Sequence, residues 1–344
     1  MAETESPNNQ CISLWRVTVI NSRPLITLFL LLLAPASLLT AMAVGSIDYS
    51  FEQLLRGLFT AEDSARHDIL WQLRWPRAAS AFAAGGLLAT AGVLMQVLLR
   101  NPLADPYILG TSGGAAAFAL FALLAGLGGI WIPGSAFVGA LLSTLLVFSL
   151  AHGRGSWTSN RLLLTGVVVA FGWGALISFL LVIAPQTRLR GMLYWLMGDL
   201  SHSQQSWTAL LALGVIFLLC LPLLRRLDIL QRGELQAAAL GVNIRQSQWL
   251  IYTLAALCTA IAVSLAGTVG FVGLIVPHLL RLIIGTSQHR WILPGAVLLG
   301  GSLLVLADTL ARAIVAPTQL PVGVMTAAIG VPLFLLMLYR GQQR

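Results

Sequence analysis

The chain has 344 residues, 58% of them hydrophobic and 9% charged, with a mean hydropathy of +0.87. Soluble domains carry about 25% charged residues, so this composition excludes a soluble enzyme and implies an all-α polytopic membrane protein. A net charge of +8 would suggest nucleic acid as partner in a soluble protein; here the excess is topological, and no nucleic-acid partner is expected.

Residues 1–24 form a polar tail. Apolar stretches of spanning length follow at 25–44, 77–99, 107–129, 132–151, 162–184, 207–224, 249–267, 268–285, 291–314 and 322–339. They predict about ten transmembrane helices in a single domain over 25–340. The first run ends in Ala41-Met42-Ala43, the pattern of a signal-peptidase site, so a cleaved signal is its rival reading. At about 20 residues it is long enough to span, whereas a signal core has about 7–15. The pair around Gly267 and Gly270 is broken by those glycines, and its second member is short.

An even number of spans puts both termini on one side of the membrane. All 20 basic residues are arginine. With the N-terminus inside, thirteen of them fall inside, among them Arg100, Arg225, Arg226, Arg232, Arg245 and Arg281, and seven fall outside. The positive-inside rule therefore places both termini in the cytoplasm.

One segment, about 225–248, does not belong in a bilayer. Glu234 to Leu240 is made of good helix formers, with Leu235, Ala239 and Leu240 on one face. Gly241 stands where a helix C′ glycine belongs, and Asn243 is placed to cap a second short helix. The spacing predicts a rigid handle held by another protein. A flexible linker would be richer in Gly and Ser.

Cys11, Cys220 and Cys258 show no CxxC or Cys/His spacing, so neither a disulfide framework nor a metal site can be argued; the latter two read as small core residues. Gly and Pro recur inside the spans, which fits close helix packing and broken helices lining a path equally well. Asn101-Pro102-Leu103-Ala104-Asp105-Pro106 has the composition of a cytoplasmic turn, with a structural role.

Four stretches taken in order resemble the permeases of the FecCD-like family, which belong to iron-siderophore, haem and cobalamin ABC importers. They are Leu73-Arg74-Trp75-Pro76-Arg77 leading to Gly85-Gly86 and Met95-Gln96; Arg100-Asn101-Pro102 through Gly113-Gly114-Ala115; Gly233-Glu234 through Leu240-Gly241-Val242; and Gly270-Phe271-Val272-Gly273 through Pro277-His278 to Arg281, backed by Leu320-Pro321-Val322-Gly323-Val324. The resemblance runs from about residue 25 to 340 and implies a homodimer of ten-helix permease subunits around a central path. Each subunit would dock an ABC ATPase subunit inside and share a periplasmic substrate-binding protein outside, in a bacterial inner membrane.

Residue by residue, the resemblance makes Glu234, Leu235, Ala238, Leu240, Gly241 and Val242 the ATPase-coupling surface, or else an ordinary surface loop. Arg74, Arg77 and Arg312 are expected at the periplasmic surface, pairing with carboxylates of the binding protein, for which the guanidinium fork is suited. Snorkelling to headgroups is the rival for all three. Arg312 has a further one, since Asp308 lies four residues before it. Arg188 and Arg190 are weaker docking candidates beside the aromatic pair Tyr194-Trp195. Thr111, Ser112, Gly113 and Gly114 either line a path or pack helices. Pro277 should kink its span, and His278 either gates or is a packed, hydrogen-bonded histidine. A haem-ligand role for His202 and Tyr194 has little support, since one histidine in a polar loop is poor evidence.

No GxxxxGK[ST] occurs, so ATP and magnesium would be bound by the partner ATPase and no cofactor by this chain. The reading is a permease subunit translocating an iron(III)-siderophore, with cobalamin or haem as the alternative cargo. A proton- or sodium-driven transporter would keep carboxylates in its spans, and here only Asp308 lies well inside one. No HExxH or acidic cluster supports an intramembrane enzyme.

Overall fold

The computed structural model describes residues 23–45, 49–59, 64–151, 159–201, 206–316 and 318–341. Most of the polar tail, with Cys11, and His202 lie outside them. Every regular element among the described residues is helical. An apolar chain in lipid has this solution open to it because a helix satisfies its own backbone polar groups.

The first helix, α1 (Arg23–Ala43), buries Leu30, Ala34, Ser37 and Ala41, a stripe at three- and four-residue spacing. A short amphipathic helix follows, α2 (Phe51–Phe59). The central element is α3 (Trp75–Leu98), entered through Ser64–Asp68 and a π-helical turn over Ile69–Arg74. Of its most apolar window 94% is buried, which makes α3 the axis of the domain.

Next come α4 (Thr111–Leu124), α5 (Trp131–Ala151), α6 (Ser159–Ile183), α7 (Gln186–Leu196) and α8 (Ser206–Cys220). The second half holds α9 (Leu224–Leu230), α10 (Glu234–Ala239), α11 (Ile244–Ala266), α12 (Val272–Ile284), α13 (His289–Ala313) and α14 (Val322–Gly341). Around α3 pack α13, α11, α8 and α12, while α4, α5 and α6 form a second layer and α1 lies along α13.

Glycine sets how closely α3 is approached. A Cβ on Gly85 would stand 2.2 Å from the carbonyl oxygen of Gly300 in α13, and one on Gly92 would stand 1.8 Å from that of Gly273 in α12. Backbone meets backbone at both places, as small residues allow in membrane helices.

Each of the ten apolar runs contains a helix, but the lengths differ from expectation. Among the described residues seven helices are long and apolar enough to cross a membrane; α4, α12 and the apolar part of α14 are shorter. The run at 107–129 opens as a 3-10 turn over Pro106–Leu109, because Asp105 accepts from the Tyr107 N–H at 2.7 Å and Gly110 takes φ +69°. It ends at Leu124, before Gly126 at φ +77°. Near Gly267 the break is real: that residue sits at φ +66° and ends α11, and Phe271 at φ +71° starts α12. Asn243 caps no second short helix. Its side chain accepts from the Gln246 N–H at 3.1 Å and begins α11 itself, so the long helix starts five residues before the apolar run at 249.

Candidate functional site

The handle is built by local chemistry. Gly233, at φ +118°, turns the chain into α10. At the other end the Val242 N–H donates to the Ala237 carbonyl at 3.0 Å and the Gly241 N–H to that of Ala238 at 2.9 Å. With Gly241 at φ +76°, this is a Schellman closure. Only Ala237 of α10 is buried, pinning the helix to the body. Leu235 and Leu240 are 89% and 63% exposed, and Ala238 and Gly241 are exposed between them; Val242 is half-buried. Leu235, Ala238 and Leu240 thus form an apolar face that the chain itself leaves uncovered. Glu234 points back to the body, accepting from Arg100 at 2.8 Å and from Gln248 at 3.3 Å.

At the opposite end of α3 and α13 the arginines converge. Arg77 grips Asp308 with Nε and Nη2, at 2.9 and 2.8 Å, and reaches Gln319 with Nη1 at 2.6 Å. Arg312 pairs with the same carboxylate at 3.2 Å and donates to the Ala41 carbonyl at 3.3 Å. Arg74 donates to the carbonyls of Met42 and Ala43 at 2.6 and 3.0 Å and stacks over Tyr49. Arg74 and Arg312 are each 8% exposed, so their bonds inside the chain hold them close to it. Beside Arg77 an open cavity of about 420 Å³ is lined by Arg190, Tyr194, Thr318, Gln319 and Leu320. Arg188 belongs elsewhere: it donates to the Leu123 and Leu124 carbonyls and caps the end of α4.

The run Thr111 to Gly114 opens α4. Thr111 and Gly114 are buried, Ser112 and Gly113 half-buried. A Cβ on Gly114 would meet the Gly139 carbonyl oxygen of α5 at 2.4 Å, and one on Gly113 would meet Trp173 of α6 at 2.8 Å. Both glycines therefore serve helix contact in this conformation. Pro277 lies buried within α12, and the helix continues through it. His278 is half-buried, and its ring makes no hydrogen bond to the described residues, against the expectation of a packed, hydrogen-bonded histidine. One turn on, Arg281 donates to Gln96 of α3, whose amide in turn donates to the Leu274 carbonyl at 3.1 Å. Cys220 and Cys258 are buried, as core residues are.

A buried pair escaped the sequence reading. His289, fully buried at the first residue of α13, presents its backbone N–H and its ring Nδ1 to Asp228 Oδ1 of α9, at 2.8 and 2.7 Å. The carboxylate thus caps α13 from another helix, where helix N–H groups and the helix dipole favour negative charge. The two residues are 61 positions apart, so neither periodicity nor a local motif signals their contact.

The FecCD transport family matches residues 30–340 of the chain. The hemin transport system permease protein HmuU of Yersinia pestis is 40% identical over 329 residues, covering 92% of this chain and 96% of its own. The vitamin B12 import system permease protein BtuC of Escherichia coli is 37% identical over 279 residues, covering 80% and 84%. A solved structure described as an inward-facing metal-chelate type ABC transporter superposes with a TM-score of 0.82 at 30% identity, over 92% of this chain and 99% of that one.

Proposed function

The chain belongs to the FecCD transport family, and from that membership we propose that it is the permease subunit of a binding-protein-dependent importer carrying an iron(III)-siderophore across a bacterial inner membrane. The observation that carries the importer reading is the handle: a capped helix with an exposed apolar face, braced by Glu234 to the end of α3. An ATPase subunit seated on Leu235, Ala238, Leu240 and Gly241 would move this lever when its nucleotide sites close, and the helices attached to it would re-aim the path. The partner supplies ATP and magnesium binding; this chain moves the cargo without covalent chemistry. At the opposite face, in the periplasm, a cargo-loaded binding protein would present carboxylates to Arg74, Arg77 and Arg312, which would exchange their bonds within the chain for bonds to the partner. A second copy of the chain would complete the path.

A rival cargo has a specific observation behind it. The 40% identity to a hemin permease and 37% to a vitamin B12 permease favour a macrocyclic chelate as much as a siderophore. Coupling to an ion gradient has less support: Asp308, the carboxylate inside a span, is occupied by two arginines. Deleting the gene and measuring uptake of labelled ferric siderophore, haemin and cobalamin side by side tests the proposal. Loss of the siderophore alone supports it. Loss of haemin or cobalamin alone keeps the mechanism and changes the cargo.

A further inference from the structure

Two helices join the two partner surfaces. α3 begins beside Arg77 and ends at Leu98, two residues before Arg100, which holds Glu234 of the handle. α13 begins at His289, held by Asp228 of α9, and carries Asp308 and Arg312 near its other end. From His289 to Asp308 is about 28 Å at the rise of an α-helix. Between these ends the pair lies backbone on backbone at Gly85 and Gly300. Close-packed contacts of that kind transmit displacement instead of absorbing it. Pro294 removes one backbone donor near the inner end of α13 and leaves the helix continuous.

The inner contact of α13 is more than packing. His289 Nε2 is buried without a hydrogen-bond partner, while Nδ1 faces the carboxylate oxygen of Asp228, an acceptor to which it donates a hydrogen bond. A half-satisfied imidazole in a packed site is worse for stability than an apolar side chain of similar size. What the ring adds is a directed bond to α9, the helix that leads into the handle.

Resting on the importer reading above, we infer that His289 and Asp228 are positioning residues that link the handle to α13, so that docking of the binding protein at the outer arginine cluster is felt at the ATPase. Coupling then runs through α13, clamped to α3 by Arg77 and Asp308 outside and to the handle by Asp228 inside. By linkage, nucleotide binding and binding-protein docking change one another's affinity by the same factor, while hydrolysis rates carry no such symmetry.

The test uses the whole complex, permease with its ATPase in lipid nanodiscs, with hydrolysis of MgATP measured with and without saturating binding protein. His289→Leu keeps the backbone N–H cap on Asp228 and fills the site, so the complex should assemble with wild-type basal hydrolysis. Its ratio of stimulated to basal hydrolysis should fall about fivefold or more, the lower end of ordinary coupling between sites. His289→Asn, whose amide sits near the place of Nδ1, should recover the ratio. A purely structural role would instead lower yield or basal hydrolysis in both variants and leave the ratio alone. A wild-type ratio in His289→Leu overturns the inference while the importer reading stands. A wild-type complex that does not respond to the binding protein overturns both.

Discussion

Arg77 and Asp308, 231 residues apart in the chain, meet through three hydrogen bonds between the start of α3 and the end of α13. Asp308 is 2% exposed and is shared with Arg312. Removing the carboxylate leaves two guanidinium groups without it in a buried site, which costs about 3–5 kcal/mol in comparable cases. Asp308→Ala should therefore lower the thermal midpoint of the purified protein far more than Arg312→Gln, after which Arg77 still grips the carboxylate. Equal midpoints for the two variants would contradict this account of the cluster.

The brace at the base of the handle makes a second prediction. Glu234 and Arg100 are each nearly half exposed, so their ion pair contributes about 0.2–1 kcal/mol and its loss alone will not unfold the chain. Glu234→Arg reverses the charge at the base of the handle and sets it against Arg100. Co-purification of the ATPase should drop severalfold with little change in thermal stability. An ATPase that stays bound and coupled in that variant would put the coupling surface elsewhere.

Gly241 permits a third. Its φ of +76° suits the C′ position of the closure with Ala237 and Ala238. A β-branched residue there would cost roughly 1–2 kcal/mol, while asparagine tolerates the same region. Gly241→Val should loosen α10 and weaken ATPase binding, and Gly241→Asn should be close to wild type. Hydrogen exchange over 234–242 reads the loosening directly.

Between α3 and α12 the prediction concerns volume. Gly92→Leu must push apart two backbones at the Gly273 carbonyl, so the folded yield should collapse. Gly214→Ala in α8 meets nothing within 4 Å and should express as the parent does, which makes it the control. Comparable yields from both would refute the close approach.

Much of this architecture was legible because lipid imposes a simple rule: apolar stretches of sufficient length are helices. The Schellman glycine at Gly241 and the break at Gly267 were legible as well, since both are local backbone chemistry. Amphipathic α2 and α7 were not, being too short and too polar to stand out as spans. Asn243 was recognised as a cap, but the polar first turns of α11 disguised which helix it begins. The pairing of Asp308 with Arg312 followed from a four-residue spacing; Arg77 on the same carboxylate did not, because contacts across 231 residues leave no periodic trace. For the same reason Asp228 and His289 came to light only in three dimensions.

ATP-driven import of an iron chelate through this chain can be followed in a reconstituted system. Proteoliposomes containing the permease and its ATPase, with MgATP inside and binding protein loaded with labelled ferric siderophore, haemin or cobalamin outside, test it most directly. ATP-dependent accumulation of the siderophore, abolished by Glu234→Arg, is the expected result. Accumulation that needs no ATP and follows an imposed proton or sodium gradient would contradict it.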